Sequence, residues 1–465
     1  MDAFLLSRLQ FAFTIAFHIL FPSFTIGLAS YLAVLEGLWL FTGRERFKTL
    51  YLFWVRIFAL SFGMGVVSGV VMSYEIGTNW SGFSAKAGSV LGPLLAFEVL
   101  SAFFLEASFL GVMLFGWKRV GRRLHFVASC AVAGGTLFSA FWIISANSWM
   151  QHPAGFATLP DGRLIALDWL KVIFSPSFPT RLAHMILAAY LTTALVVGAA
   201  SAWRLLRKPD EAESGLALRM AIGMFALVAP LQLVAGDMSG LKMGELQPAK
   251  LAAVEGLWET QAGQPFHILA WPDKAVQANR WDISIPRLGS LILKHDANAT
   301  VTGLKAFAPA DQPPPLPVFY AFRLMVGLGL AMIGLGLWGA VLIWKGAPER
   351  SRAFLWACVA MGPSGFVSVV SGWVVAEVGR QPWVIYGVQR TADAAAPVHA
   401  GAVSASLVGF IVVYAVVFGV GALYILRLID EGPVAGGAEP TAAVTRAPGT
   451  PLAAAPTQPS VEQDR

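Results

Sequence analysis

The sequence predicts an all-α integral membrane protein of about nine transmembrane helices packed in bundles. Three observations carry that expectation. Hydrophobic residues make up 56% of the 465 positions and charged residues only 13%, with a mean hydropathy of +0.65, far from the balance of soluble globular chains. Nine stretches reach the roughly twenty apolar residues that a bilayer crossing needs. Lys and Arg are spread unequally over alternate connections, as membrane topology requires.

In chain order the apolar stretches run over about 11–41, 54–74, 91–117, 126–148, 180–203, 217–236, 318–344, 353–378 and 400–427. The first contains His18 and continues past any small-residue cleavage site, so it reads as a retained helix and not a signal peptide. Connections 42–53, 117–125, 203–219 and 344–353 hold fourteen Lys and Arg, against six in 75–90, 149–181 and 379–399. The positive-inside bias therefore puts the first set in the cytoplasm, the N-terminus outside and the C-terminus inside. These loops account for the net charge of +6 and leave no case for a nucleic-acid partner. Cys130 and Cys358 fall in apolar stretches and read as small buried hydrophobes. The glycine-rich run 327–339 reads as close helix packing.

Two connecting segments stand apart. Residues 237–317 form a long outer connection with the triple proline 313–315 and a helix-like "PAKLAAVEGLWETQ"; loops of this length in compact proteins are usually functional. Residues 432–465 are rich in Ala, Pro, Gly and Thr without periodicity and are expected to be disordered. The chain thus divides into spans one to six (1–236), the outer loop (237–317), spans seven to nine (318–431) and the tail (432–465).

A charge in hydrocarbon is costly and marks function by default. Of seven histidines, only His18 and His184 lie in apolar stretches; His125, His152, His267, His295 and His399 fall in loops or at helix ends, where solvated histidines are expected. Counting 1.5 Å per residue from the outer side, His18 and Glu98 lie roughly 10 Å deep, His184 roughly 6 Å, and Glu377 at the outer end of its span. Four polar groups from distant helices thus share the outer layer, a pattern of buried cofactor sites in bundles, where imidazole is a common haem ligand. Zinc is disfavoured, since neither clustered Cys/His spacing nor HExxH occurs. Glu106 follows Glu98 by eight residues, near mid-membrane, and the two together suggest a proton relay, with Ser139 on the fourth span as a further member. The residues alone also admit a proton-coupled secondary transporter, or a haem electron-transfer subunit that does not react with oxygen.

Seven segments, in order and compatibly spaced over about 7–427, carry a resemblance: "SRLQFAFTIAFHILF" (7–21), "GTNW" (77–80), "FE" and "AFFLE" (97–106), "WMQHP" (149–153), "KLAAVEGLWETQ" (250–261), "FYAFRLMV" (319–326) and "VAEVGRQPW" (375–383). Together they resemble subunit I of the cytochrome bd-type quinol oxidases. The continuation "GRQPWVIYGVQRTADA" is similar to the cyanide-insensitive branch.

The resemblance implies that His184 and Met325 bind a low-spin haem b, and that His18 and Glu377 each ligate one of two high-spin haems, a haem b and a haem d or a further haem b. Arg380, three residues beyond Glu377, is placed to pair with it or with a haem propionate. Trp373 is a candidate aromatic wall between haems, and Arg323 a candidate propionate or quinol contact, although two residues from Met325 it is expected on another face. Lys250 and Glu255 match the quinol-loop motif, with a carboxylate as the base that quinol oxidation needs; at i and i+5 they are not expected to pair. The loop is of the short type. The implied reaction is oxidation of ubiquinol or menaquinol at the periplasmic face and reduction of O2 to water with cytoplasmic protons, without pumping. The implied setting is the bacterial inner membrane, with a membrane subunit II and, in part of the family, a very small third subunit.

Overall fold

The computed structural model describes residues 2–433; the tail predicted over 432–465 lies, from 434 onward, outside the described residues. Among these, nine helices are long and apolar enough to cross a membrane: Ala3–Thr42, Glu45–Thr78, Ser81–Phe115, Arg122–Gln151, Phe178–Arg207, Ala212–Leu246, Pro315–Trp344, Arg352–Val378 and Ala400–Glu431. They are called the first to ninth spans below.

Most run further than the apolar stretches that announce them. The third begins at Ser81 instead of 91, and the sixth ends at Leu246 instead of 236. Polar residues such as Lys86 and Asp237 end a hydropathy window but leave the backbone hydrogen-bond ladder intact. The outer connection accordingly starts at Gln247, ten residues later than hydropathy places it.

Two spans are irregular. Within the third, Glu98–Phe103 is a turn of π-helix. In the eighth, the helix Arg352–Met361 breaks at Gly362–Pro363 and resumes at Ser364, because a proline cannot donate to the preceding turn. Just past that break the fifth span approaches so closely that a Cβ on Gly365 would sit 2.7 Å from Thr192 Oγ1.

A smaller apolar cluster around Leu94 and Trp149 lies toward the other end, but the largest core sits in one half of the bundle. Its fully buried members include Leu32 and Leu35 late in the first span, Tyr51, Trp54 and Phe58 early in the second, and Phe225 in the first half of the sixth. In every case this is the half nearest the Arg- and Lys-rich connections. The Glu36–His125 pair is buried within the core half, whereas the opposite half holds the charged groups around Glu377 and the large cavity. Next to it, the 247–314 connection folds as a helix Pro248–Glu255, ended by Gly256 at φ 67°, then a hairpin of strands Phe266–Asp273 and Ala278–Ile285, then a helix Leu288–Lys294.

Candidate functional site

A cavity of about 820 Å³ opens between the fifth, sixth, seventh and eighth spans. His184 of the fifth span and Met325 of the seventh both line it. Glycine makes room at each: a Cβ on Gly236 would lie 3.5 Å from His184 Cε1, and one on Gly372 would lie 3.2 Å from Met325 Sδ. The Gln232 amide nitrogen rests 3.3 and 3.2 Å from the two ring nitrogens of His184, while its carbonyl oxygen is buried without a partner. Trp373 also lines the cavity, beside Gly372.

The loop reaches the same cavity. Lys250 and Glu255 of the helix 248–255 line it together with Arg323, so Arg323 and Met325 share a wall despite their spacing. The two loop residues do not pair with each other. Lys250 Nζ donates to Gln151 Oε1 at 2.6 Å, and Glu255 Oε2 accepts from Arg323 Nη2 at 2.6 Å. Arg323 Nε donates to the His267 carbonyl at 2.8 Å, and its guanidinium lies 4.4 Å from the Phe319 ring centroid and 4.6 Å from that of Phe266. Stacked and paired, it holds Glu255 at the cavity wall.

Glu377 adjoins this wall at the end of the eighth span. Its Oε2 pairs with Arg380, and its Oε1 accepts from Asn147 at 3.0 Å and Gln151 at 3.3 Å. Arg181, one turn before His184, donates to Asn147 Oδ1 at 2.5 Å and Ser148 Oγ at 3.0 Å. Three cations, Arg181, Lys250 and Arg380, thus crowd around one carboxylate. Two groups beyond the spans register the imbalance. Burial, and next the Arg380 guanidinium, hold the Lys250 ammonium well below the usual lysine range against the pull of Glu377. Burial and then the Lys250, Arg181, Arg380 and Lys242 charges lower His152 to about 3. Arg380 Nε and Nη1 are buried without partners. The site is built for further anions.

The remaining predicted residues lie apart. His18 faces the second span, its Nδ1 2.9 Å from Ser68 Oγ, with Gly69 leaving room beside the ring. Glu98 accepts from Ser139 Oγ at 2.7 Å. Glu106 is buried against Gly135, one turn from Ser139, with Oε1 unpartnered. The π-helical turn explains how both carboxylates meet the fourth span. Eight residues of regular helix rotate a side chain about 80° past two full turns, and the extra residue of the wide turn brings it back to within about 20°. Glu98 and Glu377 do not share a depth, however. Their partners Ser139 and Asn147 are eight residues apart on one helix, about 12 Å, close to the separation that counting inward from the outer side gives.

Three histidines expected in solvent are inside. His125 is buried against Glu36 Oε1 at 2.6 Å, His152 contacts Ser177 Oγ at 2.7 Å, and His267 contacts Asp282 at 3.0 Å. Cys130 is exposed, unlike buried Cys358; it sits on the outer surface of an apolar span, where hydropathy does not separate core from lipid contact. Sequence reasoning also passed over Arg181, Asn147, Gln151, Gln232 and the buried Glu75, which accepts from Thr14 at 2.6 Å. For Arg181, Asn147 and Gln232 the signal was polarity inside a predicted span; Glu75 and Gln151 fell just beyond predicted span ends.

Residues 6–433 match the family of cytochrome bd terminal oxidase subunit I. The chain belongs to that family. Subunit 1 of the cytochrome bd ubiquinol oxidase of Bacillus subtilis strain 168 is 34% identical, the alignment covering 93% of this chain and 94% of that protein. Subunit 1 of the cytochrome bd-II ubiquinol oxidase of Escherichia coli K12 is 31% identical over 88% of this chain and 93% of that protein. Among solved structures, the bd oxidase from Geobacillus thermodenitrificans superposes with a TM-score of 0.87 at 29% identity, covering 93% of this chain and 99% of that one. As a cytochrome bd subunit I, this is a multi-pass membrane component of a terminal quinol oxidase, and its family implies haem. The residues present fit that group: an apolar cavity with a histidine and a methionine on its walls, glycines beside both, and an excess of buried cations suited to propionates.

Proposed function

We propose that this subunit oxidises quinol on the face carrying the 247–314 loop and reduces O2 to water with protons drawn from the opposite side. The observation that carries the reading is that His184 and Met325 line the same cavity as Lys250 and Glu255, so quinol and the first electron acceptor meet in one chamber. That face is periplasmic, with the N-terminus outside and the C-terminus inside, as the Lys and Arg distribution supports.

His184 and Met325 would hold a low-spin haem b; His18, with Ser68 fixing Nδ1 and leaving Nε2 free to coordinate, and Glu377 would each hold a high-spin haem. When bound, haem supplies one-electron redox centres and an iron at which O2 is reduced. The protein supplies the rest. Glu255, oriented by Arg323, takes the quinol hydroxyl proton on its carboxylate, while Lys250 positions the quinol oxygen. Arg181 and Arg380 neutralise propionates and Glu377. Trp373 closes the cavity wall. Subunit II completes the oxidase, with a small third subunit in part of the family.

A dithionite-reduced spectrum of the purified complex, followed by carbon monoxide and an assay of quinol-driven O2 uptake, tests the reading: haem bands, a CO-induced shift and quinol-dependent uptake are expected, and a colourless protein overturns it. Glu255→Gln and Lys250→Met are expected to retain the haem spectrum and lower quinol oxidation, by about 10²- to 10⁴-fold for the missing base.

For protons, Glu106 and Glu98 with Ser139 form the path toward the oxygen site. Glu106→Gln in reconstituted vesicles is expected to lose most turnover and potential generation while quinol still reduces the haems in the absence of O2. Unchanged turnover and potential would remove Glu106 from the path.

A further inference from the structure

The hairpin 266–285 carries an apolar face that quinol chemistry leaves unexplained. In its second strand, alternation places Trp281, Ile283 and Ile285 on one side and Arg280, Asp282 and Ser284 on the other. Register sets Leu269 opposite Ile283 and Phe266 opposite Ile285, which completes the apolar side. An antiparallel ribbon ordinarily turns such a face onto a core. Here Trp281, Ile283 and Ile285 are 48%, 58% and 43% exposed. The polar side makes the internal bonds instead, His267 to Asp282 at 3.0 Å and Arg280 to Asp273.

Two fastenings fix the level of this face. On the seventh span, Tyr320 Oη donates to the Ala270 carbonyl at 2.9 Å and Arg323 Nε to the His267 carbonyl at 2.8 Å. That span is 30 residues long, and about twenty residues cross the hydrocarbon. Counting back from Trp344, which is 85% exposed beside Lys345, ends the crossing near Met325. On the sixth span, His295, just past the helix 288–294, meets Asp237 at 3.3 Å. Counting about twenty residues from Arg219, which pairs with Glu349 at the other end, also arrives there. The hairpin is therefore tied to the helices at the membrane boundary and not above it.

We propose that the hairpin and the helix 288–294 form an interfacial anchor, with Trp281, Ile283 and Ile285 seated among the headgroups and upper acyl chains of the leaflet on their own side. Tryptophan is the side chain that this layer favours. The exposed side chains of Arg287, two residues past Ile285, and of Lys294, at the end of the helix 288–294, make no hydrogen bond or ion pair among the described residues, and lipid phosphate is their complement. The lipid bilayer is the occupant that fits, because the loop that carries the face is fastened to two spans at the level where their hydrocarbon crossing ends. The cavity mouth, lined by Leu269 and Ile292, then opens at lipid level. This goes beyond the quinol reading and does not depend on it.

The test uses the intact oxidase in phosphatidylethanolamine/phosphatidylglycerol vesicles, in a Cys130→Ser background, with a nitroxide label on Ile283→Cys or, separately, on Ser284→Cys. Power saturation measures collision with O2, which concentrates in lipid, and with a water-soluble nickel chelate. A label at 283 is expected to favour O2 over nickel severalfold more than a label at 284. Equal, nickel-dominated collision at both sites means that the hairpin stands in water; weak collision with both reagents at 283 means that protein covers it. Either result overturns the proposal. Ile285→Cys repeats the measurement should Ile283→Cys fail to assemble with its haem spectrum.

Discussion

His184→Ala abolishes quinol oxidation and removes the low-spin haem signal from the reduced spectrum. On the proposed reading the imidazole would be the nitrogen ligand on its side of the cavity, and the neighbouring Gln232, whose amide rests against the ring, would offer only a weak oxygen donor in its place. The expected loss is the whole of turnover, because electrons from quinol then have no acceptor beside Glu255. Met325→Ala is expected to be milder. The histidine side would remain, and the potential of a haem held there would fall toward that of one without thioether ligation. A reduced-minus-oxidised spectrum with redox titration separates the two variants. Retention of the full low-spin signal in His184→Ala would assign the ligand elsewhere.

Arg380→Leu is expected to destabilise the site by about 1–3 kcal/mol, the usual cost of leaving a largely enclosed polar group without its partner. Arg380 is 5% exposed, and its half-buried partner Glu377 also accepts from Asn147 and Gln151. Without the guanidinium the carboxylate keeps two neutral donors and loses its nearest counter-charge, while the cavity loses a propionate partner. Thermal loss of haem absorbance is the measurement, with the midpoint falling by several degrees and the high-spin bands bleaching first. Arg380→Lys restores charge but not the planar fork and is expected to recover only part of the loss. An unchanged midpoint in Arg380→Leu would show the pair to be energetically idle.

Much of the fold was legible because the bilayer imposes it. Every backbone group must bond within its own helix, so apolar length counts spans directly. Helix ends were not legible, since outside the hydrocarbon a helix continues on propensity and packing that no hydropathy window sees. The third span shows both limits: it starts at Ser81, ten residues before its apolar stretch, and its π-helical turn has no mark in the sequence. At the site, intramembrane His18, His184 and Glu106 were visible as polar residues where polarity is expensive. Met325 was visible only through the resemblance, because a methionine in an apolar helix is ordinary packing. Arg181, Asn147 and Gln151 sit close to span ends, where polar side chains are commonplace, and only the folded structure shows them converging on Glu377.

The division of the bundle into a dense apolar half and a half with the cavity also has an electrical consequence. Transmembrane voltage drops across whatever is least polarisable, and here that is the layer built from Leu32, Leu35, Tyr51, Trp54, Phe58 and Phe225. The layer behaves as the dielectric of a capacitor, with the buried charges Arg181, Lys250, Glu377 and Arg380 gathered on its far side. Carrying one elementary charge across the whole membrane is worth about 2.3 kcal/mol per 100 mV, and this layer takes the share of that work that matches its share of the voltage.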